Sequence, residues 1–380
     1  MKLDLSNHAK ISTWTIETPP QDAQRALGRI LRSEDVERVA VMPDVHVASD
    51  VCVGTVIGTR DLIFPQAVGA DIGCGMLSAR LPLEAAALEP SDTASRCFAA
   101  LHRLVPSFRH DPETICDASE LLREGLTQKR LQRSASREGH VQLGTLGRGN
   151  HFVELQSDDE GELWVTIHSG SRAMGQVITA HHLARAQSDR SGLLALDSRS
   201  DDGREYLHDL SWARDYAAAN RNAMLEAVTA IFHSLFGVRS DPDSVIHCDH
   251  NHVQRETHAE ASLWVHRKGA LSAKDGEVGV IPGSMGTESF HTIGRGCDDA
   301  LGSSSHGAGR RLSRGAAEKQ ISRDRLRRSM TGVHFDTRAE SRLSADAPEA
   351  YRDIRSVMRA QGRLTRIVRR LKPVLVYKGR

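Results

Sequence analysis

The 380-residue chain lacks any stretch that would direct it into or across a membrane. Residues 1–8 are polar and do not contain the apolar core of a signal peptide. No later apolar run approaches the roughly 20 residues that a transmembrane helix needs. We therefore expect a cytoplasmic protein without a membrane partner.

The chain also lacks the cysteine pattern of a disulfide-stabilised protein. It has six cysteines in 380 residues and no pair with C-x-x-C spacing. This density and spacing exclude a disulfide scaffold, so we expect reduced thiols. Of the six, Cys74 alone stands in a segment that suits metal binding.

No internal repeat is present, and the composition is that of an ordinary globular protein, with 39% hydrophobic and 26% charged residues. Length alone would suggest two or three domains. The candidate site residues, however, run from position 71 to beyond 300. We therefore predict one α+β domain over residues 1–380, in which strands bring distant residues to a central cleft.

Hydrophobic patterning predicts several strands and two helices. The helices are expected at residues 173–186 and before Gly237, where Met224, Val228, Ile231 and Leu235 recur at helical spacing and should lie in the core. The serine- and arginine-rich stretch 187–205 is predicted to be a surface excursion. Strands are expected at residues 39–42, 51–57, 163–167, 263–266, 278–281 and 373–377.

Six residues capable of metal or phosphate chemistry stand in short glycine-rich or polar segments. Isolated histidines usually fall among ordinary helix residues, and glycine lets the backbone approach a ligand closely. We therefore interpret these segments as parts of one large site. The six residues are Asp71, Cys74, His151, His168, His250 and His306.

The pair Asp71-x-x-Cys74 offers a carboxylate and a thiolate within one tight turn, and the histidines could complete two adjacent metal spheres. A shared thiolate lowers the repulsion between two cations, and two metals orient phosphoryl oxygens. The pattern predicts a phosphorylated substrate and leaves zinc, manganese and iron open. Taken singly, Cys74 could be a buried apolar residue and each histidine a hydrogen-bonded core residue.

His306 has small neighbours and Arg310 close by, which favours an accessible nucleophile. A neutral imidazole that attacks an α-phosphate forms a phosphoramidate, while guanidinium groups and metals stabilise the departing pyrophosphate. A further metal ligand is the competing role. The glycine-rich loops 143–150 and 282–286 lack the Lys-Ser/Thr ending of a P-loop, and they are either phosphate cradles or plain turns.

Charge is distributed unevenly, with 20 Lys and Arg against 7 Asp and Glu between Arg310 and Arg380. Such a stretch could follow a phosphate backbone along the rim of the cleft. The alternative is a solvated helical surface. The densest part comprises Arg310, Arg311, Arg314, Arg323, Arg325, Arg327 and Arg328.

With these motifs in this order, the chain resembles the RtcB family of GTP-dependent RNA ligases. The resemblance extends from near residue 42 to Lys378. It rests on Met42-Pro-Asp-Val-His46, Val68-Gly-Ala-Asp-Ile-Gly-Cys-Gly-Met76, Leu143-Gly-Thr-Leu-Gly-Arg-Gly-Asn-His-Phe-Val-Glu154, His168-Ser-Gly-Ser-Arg172, Arg267-Lys-Gly-Ala270, Ile281-Pro-Gly-Ser-Met-Gly286 and Ser305-His-Gly-Ala-Gly-Arg310.

The resemblance implies an RNA ligase that uses GTP and two Mn²⁺ ions. His306 would attack GTP and become guanylylated, and GMP would then pass to an RNA 3′-phosphate. A 5′-hydroxyl end would attack the activated phosphate, and a 2′,3′-cyclic phosphate would first be opened. The partners would be GTP and RNA with such ends, and a requirement for an activating protein partner stays open.

Position by position, the resemblance makes Cys74 the bridging thiolate. Asp71 and His151 would hold one manganese, and His168 and His250 the other. Asp44 and His46 receive a supporting role. The nucleotide pocket would comprise Asn150, His151, Phe152, Val153, Glu154, His250, Asn251, Pro282, Gly283, Ser284, Met285, Ser289, His306, Gly307, Ala308, Gly309 and Lys378.

Three residues depart from the family pattern. Ala48 and Asp50 stand where glycines are usual, so the loop near RNA is expected to differ. His252 replaces a common aromatic residue, and spacing alone permits either His250 or His252 as a ligand. These departures and the length suggest a divergent, shorter branch that repairs cleaved RNA rather than splicing tRNA.

Two other functions compete with RNA ligation. A dimetal phosphoesterase would hydrolyse cyclic phosphate at RNA ends without joining them. A non-catalytic RNA-binding protein would use the arginine-rich region and keep the metal loops as scaffold.

Overall fold

The fold is a mixture of helices and strands interleaved along the chain, which confirms the predicted α+β class. The computed structural model describes residues 9–48, 50–117, 121, 123 and 125–379. The polar stretch of residues 1–8 lies outside the described residues. In the described part of the chain, no helix combines the length and the apolar character that crossing a bilayer demands.

The strands in chain order are β1 (Ile11–Thr13), β2 (Val36–His46), β3 (Val53–Thr59), β4 (Leu62–Ile63), β5 (Gly75–Glu84), β6 (Phe152–Asp158), β7 (Glu162–Ser169), β8 (Gln187–Ser188), β9 (Leu194–Asp197), β10 (Ile246–Asp249), β11 (Asn251–His258), β12 (Ala261–Lys268), β13 (Ala270–Ser272), β14 (Val278–Ile281), β15 (Ser289–Gly294), β16 (Ser303–Ser305), β17 (His334–Phe335) and β18 (Thr365–Lys378).

The helices in chain order are α1 (Gln21–Ile30), α2 (Ser91–Leu104), α3 (Lys129–Ser134), α4 (His140–Gln142), α5 (Arg172–Leu183), α6 (Asp201–Phe236), α7 (Arg314–Gln320), α8 (Arg323–Ser329), α9 (Glu340–Leu343) and α10 (Ile354–Ala360). A π-helical turn, Ala135–Gly139, joins α3 to α4.

Two large sheets carry the fold. The larger has the strand order β10-β5-β7-β6-β18-β15-β14, with β17 alongside β18. The second has the order β1-β2-β3-β12-β11. Smaller sheets pair β13 with β16 and join β4, β9 and β8.

The register of the larger sheet brings the cysteine and histidine motifs together. β7 runs antiparallel to both β5 and β6, so its end lies beside their beginnings. Gly75 pairs with Ser169, and Phe152 pairs with His168. Asp249, at the end of β10, pairs with Gly75. Chain segments from four parts of the sequence therefore meet at one end of this sheet.

The long helix α6 covers the same sheet. Met224, Val228 and Ile231 are buried against apolar residues of β5, β6 and β7, as their spacing predicted, whereas Leu235 is only partly buried. Gly237 follows the helix with φ +75°, the left-handed conformation of a helix-terminating glycine. The other predicted helix is also present, as α5.

The predicted strands are present, and most are longer than their apolar runs. β2 extends to His46 and β18 spans 14 residues, while β3 begins at Val53 rather than at Val51. The prediction of a surface excursion over 187–205 is wrong, because Leu193, Ala195 and Leu196 are buried and α6 already begins at Asp201. The burial of these three apolar side chains holds the segment against the core, although most residues around them are polar.

The two glycines Gly237 and Gly315 should respond oppositely to alanine. Gly237→Ala places a Cβ at φ +75°, which we expect to lower the free energy of unfolding by about 1 kcal/mol. Gly315→Ala lies inside α7 with open space around it, so stability should rise by about 0.5–1 kcal/mol. Urea unfolding of both variants measures these changes in the free energy of unfolding. A Gly237→Ala variant as stable as the unmodified protein would contradict the left-handed conformation at the end of α6.

Candidate metal and nucleotide site

One thiol and two imidazoles form the centre of the site. Cys74 Sγ lies 3.2 Å from His168 Nε2 and 3.4 Å from His151 Nε2. One donor atom from each of the three residues lies within 4.8 Å of the others, and all three side chains are buried. Sulfur and imidazole nitrogen in this arrangement are donors that suit a divalent transition metal. The structure therefore brings these three predicted site residues together.

A tight turn delivers Cys74 to this centre. The Cys74 N–H donates to the Asp71 carbonyl at 3.1 Å, and the Cys74 carbonyl accepts from the His250 N–H at 2.8 Å. Gly73 has φ +68°, and a Cβ there would lie 2.9 Å from the Arg214 backbone on α6. Only glycine permits this turn to pack so closely under the helix.

The predicted ligand Asp71 borders the cluster. Its Oδ2 lies 3.0 Å from His151 Nε2. Burial acts to raise the pKa of Asp71, but the hydrogen bond and charge of His151 outweigh it and lower the pKa to about 2. Asp71 is therefore a carboxylate at neutral pH and is able to face a cation.

Backbone carbonyls fix the orientation of the two rings. His151 Nδ1 lies 3.0 Å from the Leu146 carbonyl, and His168 Nδ1 lies 3.2 Å from the Asn150 carbonyl. With Nδ1 as the hydrogen donor, His168 Nε2 presents a lone pair toward Cys74, as a metal ligand needs. His151 Nε2 also lies 3.0 Å from Asp71 Oδ2, so without a cation it donates a hydrogen to that carboxylate.

His250, not His252, is placed to join the cluster. The His250 ring lies 5.2 Å from the His168 ring and 4.8 Å from the His306 ring, and its buried Nδ1 has no hydrogen-bond partner among the residues that the structure describes. His252 Nδ1 lies 2.9 Å from Asp249 Oδ1, and its Nε2 accepts from Arg267 at 3.2 Å. A buried imidazole nitrogen without a partner fits a metal ligand. By position, His250 rather than His252 borders the cluster.

The electrostatics of the centre favour neutral His168 and His250 rings and a Cys74 thiol in the absence of a cation. Burial, with the neighbouring imidazoles, holds the pKa of His168 and His250 well below the ordinary value. Burial and the charge of Asp71 raise the pKa of Cys74 well above it. Neutral imidazoles are ready to donate to a metal, and a cation would stabilise the thiolate.

His306 is held by the Asp44 carboxylate. His306 Nδ1 donates to Asp44 Oδ2 at 2.6 Å, and the His306 backbone N–H reaches the same oxygen at 3.2 Å. Asp44 is fully buried between two glycines: a Cβ at Gly54 would lie 2.8 Å from its Oδ1, and one at Gly309 would lie 2.3 Å from its carbonyl oxygen. This arrangement leaves the His306 Nε2 lone pair available.

A cleft of about 250 Å³ opens beside His306 and the Cys74 cluster. Most residues predicted for the nucleotide pocket line it. These are Asn150, Phe152, Glu154, Pro282, Gly283, Ser284, Met285, His306, Gly307, Ala308, Gly309 and Lys378.

Five predicted pocket residues do not line this cleft. His151 and His250 belong to the cluster behind it, and Val153 is buried in the apolar core. Asn251 is engaged with the backbone, since its amide donates to the Asp71 carbonyl at 3.0 Å and accepts from the Gly269 N–H at 2.8 Å. Ser289 Oγ accepts from Gln156, which in turn donates to Glu154.

Charged groups alternate along the floor of the cleft. Burial raises the pKa of Glu154 to about 8, although the charge of Lys378 and a hydrogen bond from Gln156 act to lower it. Lys378 Nζ pairs with Asp346 Oδ2 at 3.1 Å, and Asp346 also accepts from Arg310 at 2.8 Å. The sequence did not single out Asp346 or Tyr351, which also line the cleft.

The basic stretch divides into two parts. Arg310 and Arg314 line the cleft and pair with Asp346, so this part lies along the rim as expected. Arg323, Arg325 and Arg328 lie exposed on α8, which fits the alternative of a solvated helical face.

Two adjacent residues of α6 connect the loops of the cluster, and no motif revealed them. Asn220 accepts from the Gly144 and Thr145 N–H groups and donates to Ser169 Oγ. Arg221 is fully buried and donates to the Gly73 carbonyl at 2.8 Å and the Ser169 carbonyl at 2.7 Å. Arg221 thereby ties the Cys74 turn to the end of β7, next to His168.

Comparison with known proteins identifies close similarity over nearly the whole chain. The sequence model of a family described as tRNA-splicing ligase RtcB matches residues 30–129 and 109–379. RNA-splicing ligase RtcB1 of Escherichia coli strain ATCC 25922 is 36% identical over 407 residues, covering 98% of each chain. RNA-splicing ligase RtcB of Escherichia coli strain K12 is 36% identical over 408 residues with the same coverage. The tRNA-splicing ligase RtcB of Archaeoglobus fulgidus is 29% identical over 450 residues, covering 93% of each.

Removal of the Arg221 guanidinium should weaken metal binding without touching a ligand. Arg221→Met frees the Gly73 and Ser169 carbonyls, so we expect affinity for Co²⁺ to fall about tenfold. Titration followed by thiolate-to-cobalt absorption measures this. Arg204→Met, which removes an exposed arginine of the same helix, is the control and should bind as the unmodified protein does. Equal affinity in both variants would contradict the role given to Arg221.

Proposed function

The chain belongs to the RtcB family, and on that premise we propose that it is an RNA ligase that joins 3′-phosphate or 2′,3′-cyclic phosphate ends to 5′-hydroxyl ends with GTP. The observation that carries the proposal is the His306 ring, held by Asp44 between the Cys74 cluster and the cleft. We further propose that residues 1–380 act as one catalytic domain, since the site draws on residues from Asp44 to Lys378.

The first step is the attack of His306 on GTP. The Nε2 lone pair forms a bond to the α-phosphorus, and the bond from that phosphorus to pyrophosphate breaks. Throughout this step the Asp44 carboxylate accepts a hydrogen bond from the Nδ1–H group of His306. The ring therefore attacks with its Nε2 free of hydrogen, and the carboxylate stabilises the positive charge that develops on the ring.

The second and third steps join the RNA ends. A 3′-phosphate oxygen attacks the phosphoramidate, so GMP leaves His306 and the RNA end becomes activated. The 5′-hydroxyl then attacks the 3′-phosphate, loses its proton and displaces GMP. A cyclic phosphate is hydrolysed to a 3′-phosphate before these steps.

Two Mn²⁺ ions are the proposed metals: Asp71 and His151 would hold one, His168 and His250 would hold the other, and Cys74 would supply a thiolate ligand. The unpartnered Nδ1 of His250 and the convergence of sulfur and imidazole donors support this assignment. When bound, the metals would neutralise phosphate charge during transfer.

The cleft suits a guanine nucleotide. Glu154 presents a carboxyl group to the cleft, and Lys378 supplies a cationic donor near it. Guanine carries N–H donors at N1 and N2 and an acceptor at O6, which complement this pair. The 282–286 and 307–309 segments supply glycine-rich backbone beside His306 for the phosphates.

The rim of the cleft supports an RNA substrate rather than a free nucleotide alone. Arg310 and Arg314 add positive charge next to His306, where a phosphate backbone would enter. We assign the chain to the repair of cleaved RNA, as its departures at Ala48 and Asp50 suggest. Asp50 pairs with Arg29 and Gln66, so this loop has its own anchoring contacts.

Covalent guanylylation separates the ligase from a dimetal phosphoesterase and from an RNA-binding protein. Protein incubated with α-labelled GTP and Mn²⁺ should carry an acid-labile label that His306→Ala abolishes. Label that persists in His306→Ala, or its absence from the unmodified protein, would overturn the proposed function.

Asp44→Asn should slow guanylylation by about 10³-fold, because an amide that donates to Nδ1 would place the proton on Nε2 and remove the nucleophile. The rate of label incorporation measures this effect. Asp50→Asn changes a carboxylate a few residues away that does not touch His306, and it should retain the ordinary rate. A full rate in Asp44→Asn would contradict the role of this hydrogen bond.

GTP binding should strengthen as pH rises toward about 8. Below the raised pKa of Glu154 its carboxyl is protonated and neutral, and above it the carboxylate accepts the guanine N–H groups. The dissociation constant should therefore fall by up to about tenfold per pH unit below that pKa. Glu154→Gln should bind weakly without this pH dependence, and an unchanged slope in that variant would exclude Glu154 as its origin.

A further inference from the structure

A continuous series of hydrogen bonds between side chains, the hydrogen-bond file, runs along the larger sheet from Arg369 to Glu154. In order, it consists of Arg369 Nη1 to His291 Nδ1 (3.4 Å), His291 Nε2 to Ser78 Oγ (3.0 Å), Ser78 Oγ to Thr166 Oγ1 (3.2 Å), Thr166 Oγ1 to Gln156 Oε1 (2.6 Å) and Gln156 Nε2 to Glu154 Oε2 (2.7 Å).

The file lies on one face of the sheet. Glu154 and Gln156 are two apart on β6, and Thr166 and Ser78 occupy facing positions on β7 and β5. Ser78, Gln156, Thr166 and His291 are fully buried. Arg369 is the partly exposed end. Its Nε lies 3.3 Å from Asp158 Oδ2, and its guanidinium carbon lies 4.3 Å from the centroid of the Trp164 ring.

The hydrogen bonds share one direction. Arginine only donates, so His291 Nδ1 accepts and the ring proton resides on Nε2. This requires a neutral ring, and burial with the charge of Arg369 lowers the pKa of His291 to about 3. His291 then donates to Ser78, whose single hydroxyl hydrogen is shared between Thr166 Oγ1 and the Val165 carbonyl, each at 3.2 Å. Thr166 donates to Gln156 Oε1. The Gln156 amide therefore turns its N–H groups toward Glu154 and Ser289 Oγ.

The other groups near Glu154 act in the same sense. Lys378 on β18 faces it with a positive charge, which Asp346 partly offsets. On β6 and β15 its polar neighbours are Gln156 and, through Gln156, Ser289. Against the cost of burial, both the cation and the amide donor favour a carboxylate.

We propose that this file, from Arg369 to Gln156, holds Glu154 as a hydrogen-bond acceptor and so makes the cleft select guanine over adenine. A carboxylate accepts from guanine N1–H and N2–H₂, whereas adenine presents an acceptor at N1. If the Gln156 amide turned over, its carbonyl would favour a protonated Glu154, which no longer offers two acceptors to guanine. The inference rests on the proposed function, because it concerns the nucleotide that this cleft takes.

Thr166→Val tests the file because valine keeps the shape of threonine and removes its O–H donor. GDP and ADP binding to the manganese-loaded protein is measured by calorimetry from pH 6.5 to 9. We expect GDP affinity to fall about tenfold at pH 7.5 with ADP affinity unchanged, and the pH dependence to move to higher pH. Thr166→Ser retains a hydroxyl and should bind GDP as the unmodified protein does.

A second variant acts from the exposed end of the file. Arg369→Met leaves the buried residues in place and should shift the pH dependence of GDP binding in the same direction by a smaller amount. Equal losses of GDP and ADP affinity in Thr166→Val, or unchanged GDP binding in both Thr166→Val and Arg369→Met, would overturn the inference. If the unmodified protein shows no preference for GDP over ADP and no guanylylation, the proposed function fails instead.

Discussion

The hydrogen bond between the Asp44 carboxylate and the His306 ring is the contact on which the rest of the site depends. Asp44 lies near the end of β2, in the five-stranded sheet, and His306 directly follows β16. Gly54 and Gly309 leave no room for a side chain around Asp44, so the carboxylate has one position. That position fixes the tautomer of His306 and points Nε2 into the space between the cluster and the cleft.

Two levels of structure support this contact. Antiparallel register brings the beginnings of β5 and β6 to the end of β7, so Cys74, His151 and His168 meet although 67 residues separate β5 from β6. The helix α6 then ties these loops together through Asn220 and Arg221, whose hydrogen bonds reach loop backbone, Ser169 Oγ and His247 rather than the side chains of the cluster. The loops are short and glycine-rich, and a buried helix supplies the rigidity that they lack.

Sequence reasoning found the residues that the structure brings together around Cys74, because thiol, imidazole and carboxylate stand out in glycine-rich segments. It also predicted the α+β class and the core face of α6. It gave Asp44 only a supporting role, since nothing in residues 42–46 shows that His306 lies beside it. Gln156, Thr166 and His291 were missed because each is an ordinary strand residue, and only the register of the sheet brings their side chains together. The prediction of a surface excursion over residues 187–205 was wrong because it rested on the polar composition of the segment and not on its three buried apolar side chains.

The most direct measurement is a crystal structure of the manganese-loaded protein after reaction with GTP. The account predicts a phosphorus atom bonded to His306 Nε2, the Asp44 contact to Nδ1 retained, and the guanine edge against Glu154. Phosphorus on another residue, or a guanine outside the cleft with His306 turned away from Asp44, would contradict it.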